Sequence, residues 1–123
     1  MYLSGLSMGG ALTWDYSTVY GKRLAAIVPI CGALYPTDDR AKKIADVNLP
    51  VWAFHNKNDS TVSYTYSTGF ISKIKGFNAS LDAKLTLWET GGHNAWTKAT
   101  NPNTKENGMN MYEWMLQYKR DGD

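Results

Sequence analysis

Three residues able to carry out nucleophilic catalysis follow one another along this chain. Ser7 lies in the stretch GLSMG, Asp59 in NKND and His93 in GGHNAW. A serine hydroxyl becomes a nucleophile when a histidine takes its proton and an acid orients that histidine. Serine, then acid, then histidine is one of the chain orders in which such triads occur. The sequence therefore predicts a catalytic triad of Ser7, Asp59 and His93.

The serine is part of a G-x-S-x-G pattern made by Gly5, Ser7 and Gly9. An apolar run precedes it and a helical pattern follows at once, so the chain must turn sharply at the serine. Glycines two residues away on either side relieve the crowding of such a turn. The following helix would offer the backbone N–H of Met8 to an oxyanion. The pattern alone arises by chance in about 4% of chains of this length, and the alternative is a tight turn in which Ser7 only caps the helix.

The chain has two candidates for the base, His55 and His93. His93 follows a predicted strand, in a loop at the carboxyl end of the sheet. His55 precedes the acid and ends a strand, which favours a structural hydrogen bond there.

Four carboxylates compete for the role of the acid. Asp59 follows the strand VWAF directly, and its alternative role is to stabilise a turn. Asp38 and Asp39 are explained by the start of a helix, where acidic side chains are favourable. Glu89 lies too near its strand.

The elements that must position these residues alternate between strand and helix. Four strands are predicted around YLSGL, LAAIVPICGA, LPVWAFH and the LDAKLTLWE region. The first predicted helix runs from Met8 or Gly9 to Tyr20 and is followed by Gly21. The second covers Asp38–Ala45, with Thr37 as its N-cap. Two more are predicted around Tyr64–Lys75 and, after a polar linker, over MNMYEWMLQYKR. Strands separated by helices pair in parallel through right-handed crossovers. The prediction is an α/β fold with about four mainly parallel strands and flanking helices, in which ligands bind at the carboxyl ends of the strands.

Size and composition fit one globular domain over residues 1–123. The net charge of +2 is dispersed, which argues against a nucleic-acid partner. No apolar run reaches the ~20 residues of a membrane span, and the chain opens without the pattern of a signal peptide. Cys31 is the only cysteine, and its expected place is an apolar interior. No sequence pattern indicates a metal, phosphate or dinucleotide site, so no cofactor is predicted.

Five stretches together resemble the α/β-hydrolase family, in particular its feruloyl-esterase, polyhydroxyalkanoate-depolymerase and "predicted peptidase" group. They are YLSGLSMGGALTWDY, LAAIVPICG, LPVWAFHNKND, GGHNAWTKA and MYEWMLQYKR. The resemblance implies hydrolysis of a small-molecule or polysaccharide-linked ester through an acyl-enzyme, with Ser7 as nucleophile, His93 as base and Asp59 as its partner. Members of the group are often secreted, but the location of this chain is not determined by its sequence.

The chain departs from that family in three ways. Asn94 stands where an acidic residue usually follows the histidine, and Asn56 where glycine is common. The chain also corresponds to the C-terminal portion of the fold, without the strands that precede the serine turn. We therefore expect the second oxyanion donor to be missing, activity to be weak or absent, and the first strand to expose an edge that invites self-association.

Two alternatives to an esterase stay open. The domain could be a non-catalytic, self-associating remnant of a hydrolase, or the triad could serve a serine peptidase or thioesterase. Among the tryptophans, Trp96 is predicted to contact substrate or to position the histidine loop. Core packing is predicted for the other four, Trp14, Trp52, Trp88 and Trp114.

Overall fold

A four-stranded, fully parallel sheet forms the centre of the computed structural model, which describes residues 1–120. The strands lie in the order in which they occur along the chain, β1-β2-β3-β4. Their bounds are β1 Tyr2–Leu6, β2 Ala26–Ile30, β3 Val51–Asn56 and β4 Ala83–Trp88. Because the strands are parallel, all their carboxyl ends lie at one edge of the sheet.

Within residues 1–120, five α-helices connect and cover the strands, together with a short 3₁₀ helix at Gly21–Arg23. They are α1 Met8–Tyr20, α2 Asp38–Asp46, α3 Thr65–Phe77, α4 Trp96–Ala99 and α5 Met111–Met115. The predicted N-cap Thr37 accepts a hydrogen bond from Arg40 N–H, as its hydroxyl should at the start of α2. A reciprocal capping box between Asn110 and Glu113 starts α5.

Alternate residues of the central strands enter two separate hydrophobic clusters, one on each face of the sheet. In β3, Val51 and Ala53 belong to the cluster under α1, α2 and α3, whereas Trp52 and Phe54 belong to the cluster under α4 and α5. This period of two is the side-chain alternation of an extended strand. β2 and β3 are buried along their whole length, which explains their continuous apolar sequences.

The predicted α/β fold is confirmed, with all four strands in place and parallel. The predicted end of α1 at Tyr20, followed by Gly21, is also confirmed, and Gly21 has φ −54° and starts the 3₁₀ helix. The prediction for the last helix was wrong in its bounds, since α5 covers only Met111–Met115. The helix α4 was missed, because it lies within the stretch predicted as a loop and polar linker. A four-residue helix is shorter than the window in which hydrophobic periodicity can be recognised.

Three of the tryptophans predicted for the core are almost completely buried: Trp14, Trp52 and Trp114. Trp88 is only partly buried and packs against the cluster on the α5 face. None of the helices among residues 1–120 is both long and apolar enough to cross a membrane.

The first strand forms one edge of the sheet, since among residues 1–120 no strand pairs beyond it. An open groove of about 290 Å³ runs along this edge and the neighbouring face of α1. Leu3, Leu12 and Tyr16 contribute apolar side chains to it. Leu12 is 64% exposed, so this side of the domain presents apolar surface to its surroundings.

Candidate active site

The strand-to-helix turn after β1 holds Ser7 in an unusual backbone conformation. Its φ of 53° and ψ of −113° lie in a region that side-chain-bearing residues rarely adopt. Its backbone is fixed from both sides, because Ser7 N–H donates to Ile30 O at 2.9 Å and Ser7 O accepts from Ala11 N–H at 3.0 Å. Such a non-glycine residue at the end of a strand is strained, and strain of this kind is concentrated at functional sites.

The glycines around this turn have different roles. A Cβ on Gly5 would lie 2.3 Å from the carbonyl oxygen of Gly9, and one on Gly10 would lie 2.8 Å from Ile30 O. Gly5 and Gly10 therefore permit contacts that no other residue allows. A Cβ on Gly9 would meet nothing within 4 Å, so the expectation that Gly9 also relieves crowding was wrong.

The turn places the Ser7 hydroxyl against the imidazole of His93, with 2.8 Å between Oγ and Nε2. The opposite ring nitrogen, Nδ1, lies 2.8 Å from Asp59 Oδ2. These residues are 86 and 34 positions apart in sequence, and the carboxyl ends of β1, β3 and β4 bring them together. With the Nδ1 proton facing Asp59, Nε2 has a lone pair directed at the Ser7 hydroxyl.

Several donors surround the Asp59 carboxylate, whose side chain has no exposed surface. Oδ1 accepts from the N–H groups of Thr61 and Val62, both at 2.9 Å. Burial by itself raises the pKa of Asp59, but the hydrogen bonds from His93, Val62 and Thr61 outweigh burial and hold the pKa below its usual range. Asp59 therefore stays ionised opposite the imidazole.

His55 has no exposed surface and lies on the α3 side of the sheet. Its Nδ1 is 2.8 Å from Ser67 Oγ, and its Nε2 is 2.9 Å from Val62 O and 3.2 Å from Asp59 Oδ2. Burial lowers the pKa of His55 and so favours its neutral form. The predicted structural hydrogen bond is confirmed, and His55 also supports the turn that holds Asp59.

The three other carboxylates that were considered for the triad lie in surface ion pairs. Asp38 pairs with Lys73, Asp39 with Lys43 four residues later, and Glu89 with Lys57. All three carboxylates are largely exposed.

The loop that carries His93 is bound to the end of β3 by two asparagines. Asn56 Nδ2 donates to Gly92 O at 3.1 Å, and Asn58 Oδ1 accepts from Gly92 N–H at 2.8 Å. Gly91 and Gly92 have φ of 119° and 61°, the left-handed region that favours glycine. This role was not predicted for either asparagine, although Asn56 ends β3 and Asn58 directly precedes Asp59.

The remaining predicted site residues lie next to the serine and the histidine. Met8 is the first residue of α1, so its N–H belongs to the first turn, which has no acceptor within the helix. The Trp96 ring contacts the His93 ring edge-on, with 5.5 Å between centroids. Asn94, at the position of a family departure, accepts a hydrogen bond from Thr97 N–H at the start of α4.

Comparison with known proteins supports the fold. No protein-family model matches the chain. A bifunctional acetylxylan esterase/xylanase of Neocallimastix patriciarum is 28% identical over 115 residues, covering 93% of this chain and 15% of that protein. The crystal structure of a thermostable esterase superimposes with a TM-score of 0.80 at 26% identity, covering 98% of this chain and 31% of that one.

A second similar structure is a serine-to-alanine mutant of the feruloyl esterase module of Clostridium thermocellum. It has a TM-score of 0.59 at 18% identity and covers 75% of this chain and 39% of that one. The chain therefore spans less than half the length of each of these relatives. It has the fold of part of an α/β-hydrolase and resembles the esterases of that fold.

Proposed function

We propose that this chain carries the catalytic groups of a serine hydrolase that cleaves carboxylic esters. The observation that supports this most is the continuous relay in which Ser7 Oγ contacts His93 Nε2 and His93 Nδ1 contacts Asp59 Oδ2, each at 2.8 Å. The strained turn at Ser7 and the resemblance to esterases point to the same chemistry.

In the proposed reaction the Ser7 oxygen attacks the ester carbonyl while His93 Nε2 takes the hydroxyl proton. Asp59 remains ionised and stabilises the imidazolium through Nδ1–H. The N–H of Met8, at the positive end of α1, donates to the oxyanion. His93 then gives its proton to the leaving alcohol, and a water molecule activated by the same imidazole hydrolyses the acyl-enzyme and restores Ser7.

The test is covalent labelling with a fluorophosphonate, which reports an activated serine and does not depend on the acyl group that the enzyme prefers. We expect the wild-type chain to be labelled at Ser7, and Ser7→Ala and His93→Gln to lose labelling while staying folded. Ser60→Ala, at an exposed serine beside Asp59, is the matched control and should label like the wild type. Equal labelling of His93→Gln and the wild type would reject the relay.

Ester hydrolysis is expected to be slow even if Ser7 is labelled readily. Removal of one oxyanion donor costs about 10²- to 10³-fold in rate, and Met8 N–H is the single donor that we assign in this chain. We therefore propose that the 123-residue chain by itself hydrolyses esters weakly. The test compares the rate of Ser7-dependent aryl acetate hydrolysis by this chain with the rate of an intact esterase of the same fold.

The specificity of the site is proposed from its relatives and from Trp96. Esters attached to plant polysaccharides are the substrates suggested by the names of the acetylxylan and feruloyl esterases. Trp96 would line the acyl or alcohol side of the site, since its ring already contacts His93. Preference for peptide or thioester substrates over aryl and sugar esters would instead identify the peptidase or thioesterase alternative.

Self-association is a second proposed property of this chain, and the edge of β1 favours it. Ser7 N–H donates to Ile30 O, which belongs to β2. Because the backbone groups of successive strand residues point alternately to the two sides, those of Tyr2, Ser4 and Leu6 face away from β2. Two copies related by a two-fold axis could pair these edges and cover the apolar groove around Leu12.

Sedimentation equilibrium over a range of concentrations tests this association. We expect Leu12→Glu, which adds a charge to the groove, to weaken self-association. Leu116→Glu is the matched control, because Leu116 is similarly exposed at 68% but follows α5 on the opposite face. A wild-type chain that stays monomeric at all concentrations would contradict the proposal.

A further inference from the structure

The proposed mechanism leaves the buried thiol of Cys31 unused. It follows β2, is fully buried, and has a positive φ of 42°. Its sulfur, a carboxylate oxygen of Asp59 and an imidazole nitrogen of His93 all lie within 4.8 Å of one another. Among residues 1–120, this is the one group of three such side chains that could hold a metal ion.

From this cluster we propose that the chain binds a thiophilic divalent cation, zinc or its analogue cadmium, between Cys31, Asp59 and His93, and that the bound ion blocks the catalytic relay. The inhibitory part of this inference rests on the proposed function, and the binding part does not. Thiolate, imidazole and carboxylate are the ligand types that zinc binds in proteins.

The cluster is close to the size that such an ion needs. Metal–sulfur bonds of about 2.3 Å and metal–nitrogen or metal–oxygen bonds of about 2.0–2.2 Å put tetrahedral ligand atoms roughly 3.2–3.7 Å apart. Asp59 Oδ2 and His93 Nδ1 are now 2.8 Å apart, so they must separate slightly while the sulfur approaches. The required movement is about 1 Å, and the loop that begins with Gly91 and Gly92 can supply it at His93.

Binding would change the role of the imidazole. Nδ1 is the nitrogen that faces Asp59, so an ion held beside Asp59 takes the Nδ1 lone pair. The ring proton then resides on Nε2, which can only donate to Ser7 Oγ and can no longer accept its proton. The Cys31 thiol proton leaves to solvent as the thiolate binds the ion. No bond of Ser7 changes, so inhibition is reversed when a chelator removes the metal.

Cadmium titration of chelator-treated protein tests the site directly, because cadmium–thiolate bonds absorb in the ultraviolet and Cys31 is the only cysteine. We expect saturation at one ion per chain, and no such absorption in Cys31→Ser. Asp59→Asn and His93→Gln should each weaken the apparent Kd by about tenfold or more, because loss of a group that only supports a metal ligand already costs about 10- to 100-fold in affinity. Asp39→Asn, an exposed carboxylate paired with Lys43, is the control and should bind like the wild type.

The inhibitory consequence is measured as fluorophosphonate labelling with and without zinc, each variant being compared with its own metal-free rate. Wild-type labelling should fall more than tenfold at saturation and return with chelator, whereas Cys31→Ser should be insensitive to zinc. An unchanged cadmium Kd in both Asp59→Asn and His93→Gln, or no absorption in the wild type, would overturn the site. Absence of labelling in the metal-free wild type, with cadmium binding intact, would reject the proposed function and leave the metal site standing.

Discussion

The buried amide of Asn56 joins the last residue of β3 to the loop that carries His93, through the hydrogen bond from Nδ2 to Gly92 O. Asn56 is 1% exposed and its Oδ1 has no hydrogen-bond partner among residues 1–120. Asn58 contacts the same glycine in the opposite sense, as an acceptor from Gly92 N–H. The two asparagines thus bind the backbone C=O and the backbone N–H of one residue, Gly92, which directly precedes the histidine.

Because Asn56 donates and Asn58 accepts, the same substitution is predicted to be costly at Asn56 and nearly neutral at Asn58. Asn56→Asp replaces a buried donor with a carboxylate that faces Gly92 O, so it should lower the free energy of unfolding by about 1–3 kcal/mol and slow labelling of Ser7. Asn58→Asp keeps the acceptor at an exposed position and should leave both quantities nearly unchanged. Urea unfolding and labelling rates of the two variants check this, and equal losses at the two positions would contradict it.

The glycines of the serine turn give a second matched pair. Gly5→Ala should distort the turn or prevent folding, because the added methyl group would overlap Gly9 O at 2.3 Å. Gly9→Ala should fold normally, since the corresponding space is empty, and alanine is the better helix former. Thermal unfolding and Ser7 labelling of both variants are the measurements. A Gly5→Ala chain as stable and as reactive as the wild type would show that the turn adapts.

The sequence was sufficient to predict the strands, their parallel pairing and the order of the candidate triad, because buried parallel strands leave continuous apolar runs and the serine turn leaves a glycine pattern. The proximity of Cys31 to Asp59 and His93 could not be predicted, since it depends on how far each strand end projects beyond the sheet. The roles of Asn56 and Asn58 could not be predicted for the same reason. Both asparagines fit an ordinary turn sequence, and only their different contacts with the backbone of Gly92 distinguish them.

Backbone strain at Ser7 leads to a prediction about stability. Ser7→Gly and Ser7→Ala both remove the hydroxyl, but only glycine adopts a φ of 53° without cost. We expect Ser7→Gly to be more stable than Ser7→Ala by about 1 kcal/mol in urea unfolding, after the greater freedom of glycine in the unfolded chain is included. Both variants should fail to label. Equal stability of the two would indicate that the turn is not strained in solution.

The buried His55 predicts how stability changes with pH. Burial lowers its pKa in the folded chain, while in the unfolded chain it titrates near its ordinary value of about 6.5. As the pH falls below about 6.5 the unfolded state therefore takes up a proton that the folded state does not, and the free energy of unfolding decreases. The decrease continues until the pH reaches the lowered pKa of the folded state.

Asp59 adds a separate loss of stability at more acidic pH, because its stabilising contribution is present above about pH 3.9 and is lost as the pH falls through its depressed pKa.

Urea unfolding between pH 7.5 and 4.5 isolates the contribution of His55 from that of Asp59. The wild-type free energy of unfolding should fall with a slope of at most about 1.4 kcal/mol per pH unit for this one group. His55→Gln removes the titrating ring, so it should be less stable at pH 7.5 but have a shallower slope over the same range. The loss at pH 7.5 reflects the hydrogen bonds of the imidazole with Ser67 and Val62. A slope in His55→Gln as steep as that of the wild type would mean that another group causes the acid sensitivity and that His55 is not held neutral by its burial.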